Sequence, residues 1–282
     1  MPTIFGVIFK VIWDSPNIVL VLATMMWGGH TIAARASIDE ISPMLLMEMR
    51  WLGCLLLLVF LLRGDLVAHW PDVKARLGWT WLMGGVGMSG FTIFFILAAQ
   101  YTSAVNLGIT QGAIPAFVMI ISLMFLGVRV GWIQIAGLAL SLVGVVVLVS
   151  GGSMATLQAL EFNSGDLLML VACLSYAGYT VGLSRRINLR PLVLLAYFSA
   201  FASLTVGACL VIEYIQGKLI IPGVTGLFIV LYCIIFPSLL AQVLFMRGVE
   251  LAGANRAGLY INLIPVFAAL MAIFFLQETM YM

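Results

Sequence analysis

Apolar runs of 18–25 residues, each long enough to cross a bilayer as a helix, alternate with short clusters of Gly, Pro and charge along the chain. The first predicted spans cover residues 17–34 and 43–62, the second opening at Ser42-Pro43. A polar segment then carries Arg63, Asp65, His69, Asp72, Lys74 and Arg76 and is predicted as a loop. Residues 77–128 hold no charge at all and divide at 100–103 into a third and a fourth span. Arg129 marks a turn into the fifth, 131–150, and the polar stretch 151–164 is predicted as a linker. Beyond it lie a span over 165–183, another opening at Arg190-Pro191, and two more over 223–247 and 253–276. Residues 3–13 are apolar but short and interrupted by Lys10, a pattern that fits an interfacial segment better than a span. Outer-membrane barrel strands are excluded because they alternate polar and apolar over about ten residues.

The fourth and ninth spans repeat one another. At an offset of 150 residues, Ala104, Gly108, Ile114, Pro115, Phe117, Phe125 and Leu126 are matched by Ala254, Gly258, Ile264, Pro265, Phe267, Phe275 and Leu276. This is the mark of an internal duplication, with a first repeat over 17–150 and a second over 165–282. Five spans per repeat is an odd number, so the second repeat must be inverted relative to the first, the arrangement of carriers with a midplane site. Trp132, which opens the fifth span, aligns with Met282; a tenth helix is therefore expected to be absent, by truncation or because it is dispensable. Pro115 and Pro265 each remove a backbone donor inside a span. Freed carbonyls in lipid are tolerated only against protein or a wet cavity, so both prolines are expected to face the bundle interior as hinges.

Composition closes off other classes. At 63% hydrophobic and 9% charged, against about 25% charged in soluble domains, the chain is predicted to be an all-α polytopic membrane protein. A net charge of +2 gives no reason to expect nucleic acid. Cys54, Cys173, Cys209 and Cys233 lie inside apolar runs without metal-ligand spacing, so neither disulfides, a metal nor a cofactor is expected. Ten Lys and Arg fall in the loops of one side and only Arg35 and Lys218 on the other. The bias places the N-terminus in the cytoplasm, in a bacterial inner membrane.

These features resemble the EamA-type members of the drug/metabolite transporter superfamily. The resemblance is carried by Trp27-Gly28, Pro43 with Arg50, the two proline helices, the Gly165-Asp166-Leu167-Leu168 opening and Gln277-Glu278-Thr279. It implies ten helices in two inverted five-helix repeats around a central cavity, serving export or exchange of amino acids, metabolites or drugs. Val128 stands where the family has a glutamate after its fourth span, and the tenth helix is the other departure.

Candidate residues follow from polarity inside spans. Glu48 and Arg50 are ionisable well inside a span, roughly 7–10 Å from its outer end, and point to different faces; Arg50 either snorkels outward, bonds helix-end carbonyls or takes part in coupling or a gate, and Glu48 is a candidate coupling or cation site. His30 shares a face with Trp27 and either shuttles protons or bonds a neighbouring helix. Gln111 and Asn262 sit close to the two prolines as interhelical glue or as substrate-recognising amides. Tyr176, Tyr179, Gln242 and Tyr260 are expected to complete a polar and aromatic lining. Arg247, Glu250 and Arg256 mark one end of the last spans, as loop anchors or a gate. Gly108 with Gly112 and Gly178 with Gly182 form small-residue faces, suited to packing in a monomer or to a weak dimer.

The expected function is alternating-access transport of small neutral or zwitterionic, amino-acid-like metabolites or amphipathic compounds, as an exporter. Proton-coupled efflux of cationic drugs through Glu48 or His30 is one rival, and a passive channel is another. Gly87-Met88-Ser89-Gly90 matches a rhomboid-like serine motif, but His30 and His69 both precede Ser89 and no later base exists, so no enzyme is expected.

Overall fold

The computed structural model describes residues 10–276, with Ala104, Val105, Phe275 and Leu276 described by backbone alone. Gln277-Glu278-Thr279, Met282 and residues 3–9 of the interfacial stretch lie outside the described residues. Among those described, nine helices are long and apolar enough to span a membrane. They are α1 (Pro16–Ala36), α2 (Pro43–Ala75), α3 (Leu77–Ala98), α4 (Asn106–Leu126), α5 (Trp132–Val149), α6 (Ser164–Arg185), α7 (Pro191–Ile215), α8 (Val224–Ala252) and α9 (Ala254–Phe274). Proline opens α1, α2 and α7 in the first turn, where its missing N–H has no intrahelical partner to lose.

The helices associate in pairs that exchange when the two halves exchange. α1 packs on α8 and α9, and its counterpart α6 packs on α3 and α4. α2 meets α8 as α7 meets α3, while the α2–α7 and α4–α9 contacts map onto themselves. The turns that follow α1 and α6 lie at opposite ends of the bundle. Ser42 N–H donates to the Ile220 carbonyl beside the start of α2 and α8, whereas Arg186 and Arg190 pair with Glu250 and Asp65 near the far ends of those same helices. The repeats are thus inverted, as the odd number of spans in the first half requires.

Both halves distort the same helices. α3 carries a π-helical segment over Leu82–Met88 and α8 one over Ile234–Leu240. The first is rich in glycine, and a Cβ on Gly84 would run into the α7 backbone at Phe198; the second contains Pro237, which cannot supply an N–H to the preceding turn. The proline helices break just before their prolines, α4 at Gly112-Ala113 and α9 in a 3-10 turn over Ile261–Leu263.

Two local expectations are corrected. The polar segment after residue 62 is helical, not a loop: α2 continues to Ala75 across a kink at Leu62, whose φ of −127° is non-helical. The linker contains a short helix, Met154–Gln158, whose N-cap Ser153 accepts from Thr156 N–H. α5 keeps Val145 as its buried residue and leaves Trp132, Ile133 and Leu140 exposed, the pattern of a peripheral helix whose apolar surface meets lipid.

Candidate functional site

A cavity of about 450 Å³ lies between the halves, within the usual range for small-molecule sites. It reaches one face of the bundle, where Ser37, Ile38 and Asp39 of the α1–α2 turn and Ile220 before α8 form its mouth. Its inner wall comes from α1, α2, α3, α4, α6, α8 and α9.

Aromatic rings make the floor. Trp27 and Tyr176 meet edge to face with centroids 6.0 Å apart, and Phe91 lies 5.5 Å from Tyr176. Behind them Phe245, fully buried, is 5.1 Å from Trp27. Such offset and edge-on pairs place the positive rim of one ring against the negative face of another. The indole N–H of Trp27 donates to the Pro237 carbonyl at 3.2 Å, so the π-helical segment of α8 sets the angle of the floor.

The wall carries a buried cation. Arg50, 4% exposed, donates through Nε to Ser238 Oγ at 2.8 Å and through Nη1 to His30 Nε2 at 2.6 Å and Met47 Sδ at 3.3 Å. An arginine has only donors, so His30 accepts at Nε2. No carboxylate among the described residues lies within salt-bridge distance of Arg50; every partner is neutral. Arg50 therefore neither snorkels outward nor bonds helix-end carbonyls, because π-helical α8 brings the Ser238 hydroxyl to it and α1 brings His30.

The other sequence candidates divide between the lining and places away from it. Gln111 and Gln242 line the cavity with Trp27, His30, Arg50 and Tyr176. Tyr179 is fully buried one layer back, with its hydroxyl donating to Gln242 Oε1 at 3.2 Å. Asn262, expected in the lining, instead donates to Ser141 Oγ of α5 at 2.9 Å, because the 3-10 turn rotates it outward. Tyr260 also leaves the lining: its hydroxyl meets Asn17 Oδ1 at 2.7 Å near the start of α1. Glu48 lies at the α2–α7 contact, accepting from Ser203 Oγ at 2.5 Å with Gly207 beside it. Pro115 is buried and Pro265 half-buried, but the residues that touch the cavity are their neighbours Ile114 and Ile264. Ser89, the serine of the protease-like motif, spends its hydroxyl on the Gly84 and Gly85 carbonyls of its own helix.

The opposite face is closed. Glu250 bridges Arg186 at 2.9 Å and Arg247 at 3.0 Å, and Arg247 reaches Asp14 at 3.0 Å and the Trp13 carbonyl at 3.1 Å. Arg256 donates to Asn17 Oδ1 at 2.8 Å, and Arg185 to the Phe125 carbonyl at 2.6 Å. These bonds tie the ends of α1, α4, α6, α8 and α9 together. Asn17 is ten residues before Trp27 on α1, so about 15 Å of packed helix separates this layer from the cavity floor.

Met47, Trp51 and Phe91 line the cavity, and Ser238 holds Arg50 from behind it, without having been singled out by sequence. Pro237 inside an apolar run was the available signal for Ser238; the other three look like any core residue until the fold brings them together.

The comparisons with known proteins agree with this architecture. The profile of the EamA-like transporter family matches residues 15–150 and again 163–282. An uncharacterized transporter of Archaeoglobus fulgidus is 28% identical over 277 residues, 93% of this chain and 89% of its own. The uncharacterized inner membrane transporter YedA of Escherichia coli is 28% identical over 88% of this chain and 78% of its own. For the uncharacterized transporter YyaM of Bacillus subtilis the identity is 27% over 66% of this chain, which spans 61% of that relative. One crystal structure, 19% identical, superposes with a TM-score of 0.74 over 92% of this chain and 87% of the other, a likeness of fold. With one family profile matching both halves of an inverted bundle, this integral membrane protein belongs to the EamA-like transporter family.

Proposed function

We propose that the protein is a secondary transporter that moves small amphipathic organic metabolites, amino-acid-like compounds among them, by alternating access. One observation carries this: a chamber between inverted halves reaches one face and is closed from the other by packed helix and an ion-pair layer. Exchanging the roles of the two halves generates the complementary, oppositely open state. The open face carries Arg35 and Lys218, the closed face the other loop cations, and by that bias the chamber opens outward from the cytoplasm. Net export is the direction that the family resemblance implies. Glu48 faces Ser203 instead of the chamber, which weighs against efflux of cationic drugs held by that carboxylate.

The test is counterflow in proteoliposomes loaded with unlabelled amino acid or organic acid. Saturable accumulation of labelled compound against its gradient is expected. Linear flux without saturation marks a channel instead, and sinks the alternating-access reading.

A further inference from the structure

Among the described residues the chamber wall offers donors, and no acid lies beside its buried cation. Two of Arg50's three nitrogens are occupied, Nε by Ser238 and Nη1 by His30 and Met47. Nη2 has no hydrogen-bond partner among the described residues and is not shut away among the buried atoms that lack one, while the residue itself lines the chamber. Gln242 spends its carbonyl oxygen on Tyr179, so its NH₂ is the group it has left to offer. Among the described lining residues the sole acid is Asp39, exposed at the mouth. A buried charge surrounded by neutral partners is costly unless an opposite charge reaches it, and a guanidinium matches a carboxylate in shape and in donors.

From this juxtaposition we infer that the chamber is a carboxylate-binding site: Arg50 anchors the carboxylate of an organic acid or amino acid through Nη2, and the apolar body of the same molecule lies on the Trp27, Phe91 and Tyr176 rings. His30 and Ser238 act as positioning residues that hold the guanidinium in place. The inference deepens the transport reading and rests on it for biological meaning, but the binding chemistry is separable. An amine finds no anionic partner deep in the chamber among the described residues and meets Arg50 as a like charge. A zwitterion is accepted through its carboxylate, its ammonium over the aromatic faces.

The purified full chain in detergent is titrated with 3-phenylpropanoate, phenylalanine, 3-phenylpropan-1-ol and phenethylamine, with thermal stabilisation as readout. Both carboxylates are expected to raise Tm, whereas the alcohol and the amine do so only at concentrations at least ten times higher. Arg50→Gln is expected to weaken the acids by about 10- to 100-fold, the size of one charge-assisted hydrogen bond, and to leave the alcohol unchanged; Arg50→Lys restores part of the preference for acids. Equal stabilisation by alcohol or amine overturns the inference, as does acid binding that survives Arg50→Gln or the absence of any stabilisation by the acids. Proteoliposome counterflow with the same compounds separates the two levels. Acids that bind but are not exchanged leave the carboxylate site standing and remove transport; alcohol or amine exchanged as readily as the acids does the reverse.

Discussion

Arg50 owes its position to neighbours from three helices. Ser238 and His30 are its oxygen and nitrogen acceptors, Met47 one turn earlier on α2 adds a thioether, and the Trp51 ring lies 4.7 Å from the guanidinium carbon. Removing one acceptor leaves a charged donor buried without a partner, which costs about 1–3 kcal/mol. Ser238→Ala is therefore expected to lower the midpoint of thermal unfolding in detergent. It should also weaken carboxylate binding, because the freed Nε–H lets the guanidinium rotate. An unchanged midpoint would mean that another acceptor takes over from Ser238. The same logic explains why Trp27 is more than an apolar floor tile: its bond to the Pro237 carbonyl uses an acceptor released by the π-helical turn.

At the scale of elements, close approach between helices decides where glycine is required. A Cβ on Gly28 of α1 would sit 2.6 Å from Phe267 Cβ and 3.0 Å from the backbone nitrogen of Ala268 on α9. Gly178 on α6 has nothing within 4 Å of the same position. Gly28→Ala is thus expected to destabilise by about 1–3 kcal/mol through overpacking. Gly178→Ala should be neutral or stabilise by up to about 1 kcal/mol, the helix-propensity gain. Thermal unfolding of the pair checks this, and equal midpoints would refute the α1–α9 packing. The two π-helical segments and the two proline breaks occur at matching places in the halves, interrupting the helices that line the chamber. Irregular backbone of this kind inside spans is where hinges are found, and here it lies between the mouth and the closed layer.

For the whole molecule, the question is what holds one face shut. Arg186, Arg247, Glu250 and Asp14 form a chain of alternating charge whose members range from 14% to 48% exposed, so each pair contributes little, about 0.2–1 kcal/mol. That is still enough to bias two conformations of similar energy, since about 1.4 kcal/mol shifts a population ratio tenfold. Glu250→Gln removes the negative charge that two arginines share and puts an NH₂ donor on one of its two oxygen positions. It is expected to raise, several-fold, the rate at which an impermeant thiol reagent added from the closed side labels a cysteine placed at Gln242, in a background free of the four native cysteines. Labelling that stays at the wild-type rate would show that helix packing, not this ion-pair layer, holds the closure.

Sequence alone determined what depends on local pattern and counting. Span length and apolarity produced the nine crossings, the 150-residue offset exposed the duplication, and an odd number of spans per half forced the inversion. Trp27, His30, Gln111, Tyr176 and Gln242 were legible as candidates for a lining, and Arg50 as an ionisable group inside a span, because polar or amphipathic side chains there need a reason to be present; all six line the chamber. Tertiary structure alone decided their partners and their exclusions. Whether Arg50 meets lipid headgroups or Ser238 depends on a π-helical distortion that shifts the register of α8. Whether Asn262 faces the chamber or α5 depends on a 3-10 turn that rotates it. Each is a rotation about a helix axis, set by packing between segments far apart in the chain, and one-dimensional periodicity carries no record of it.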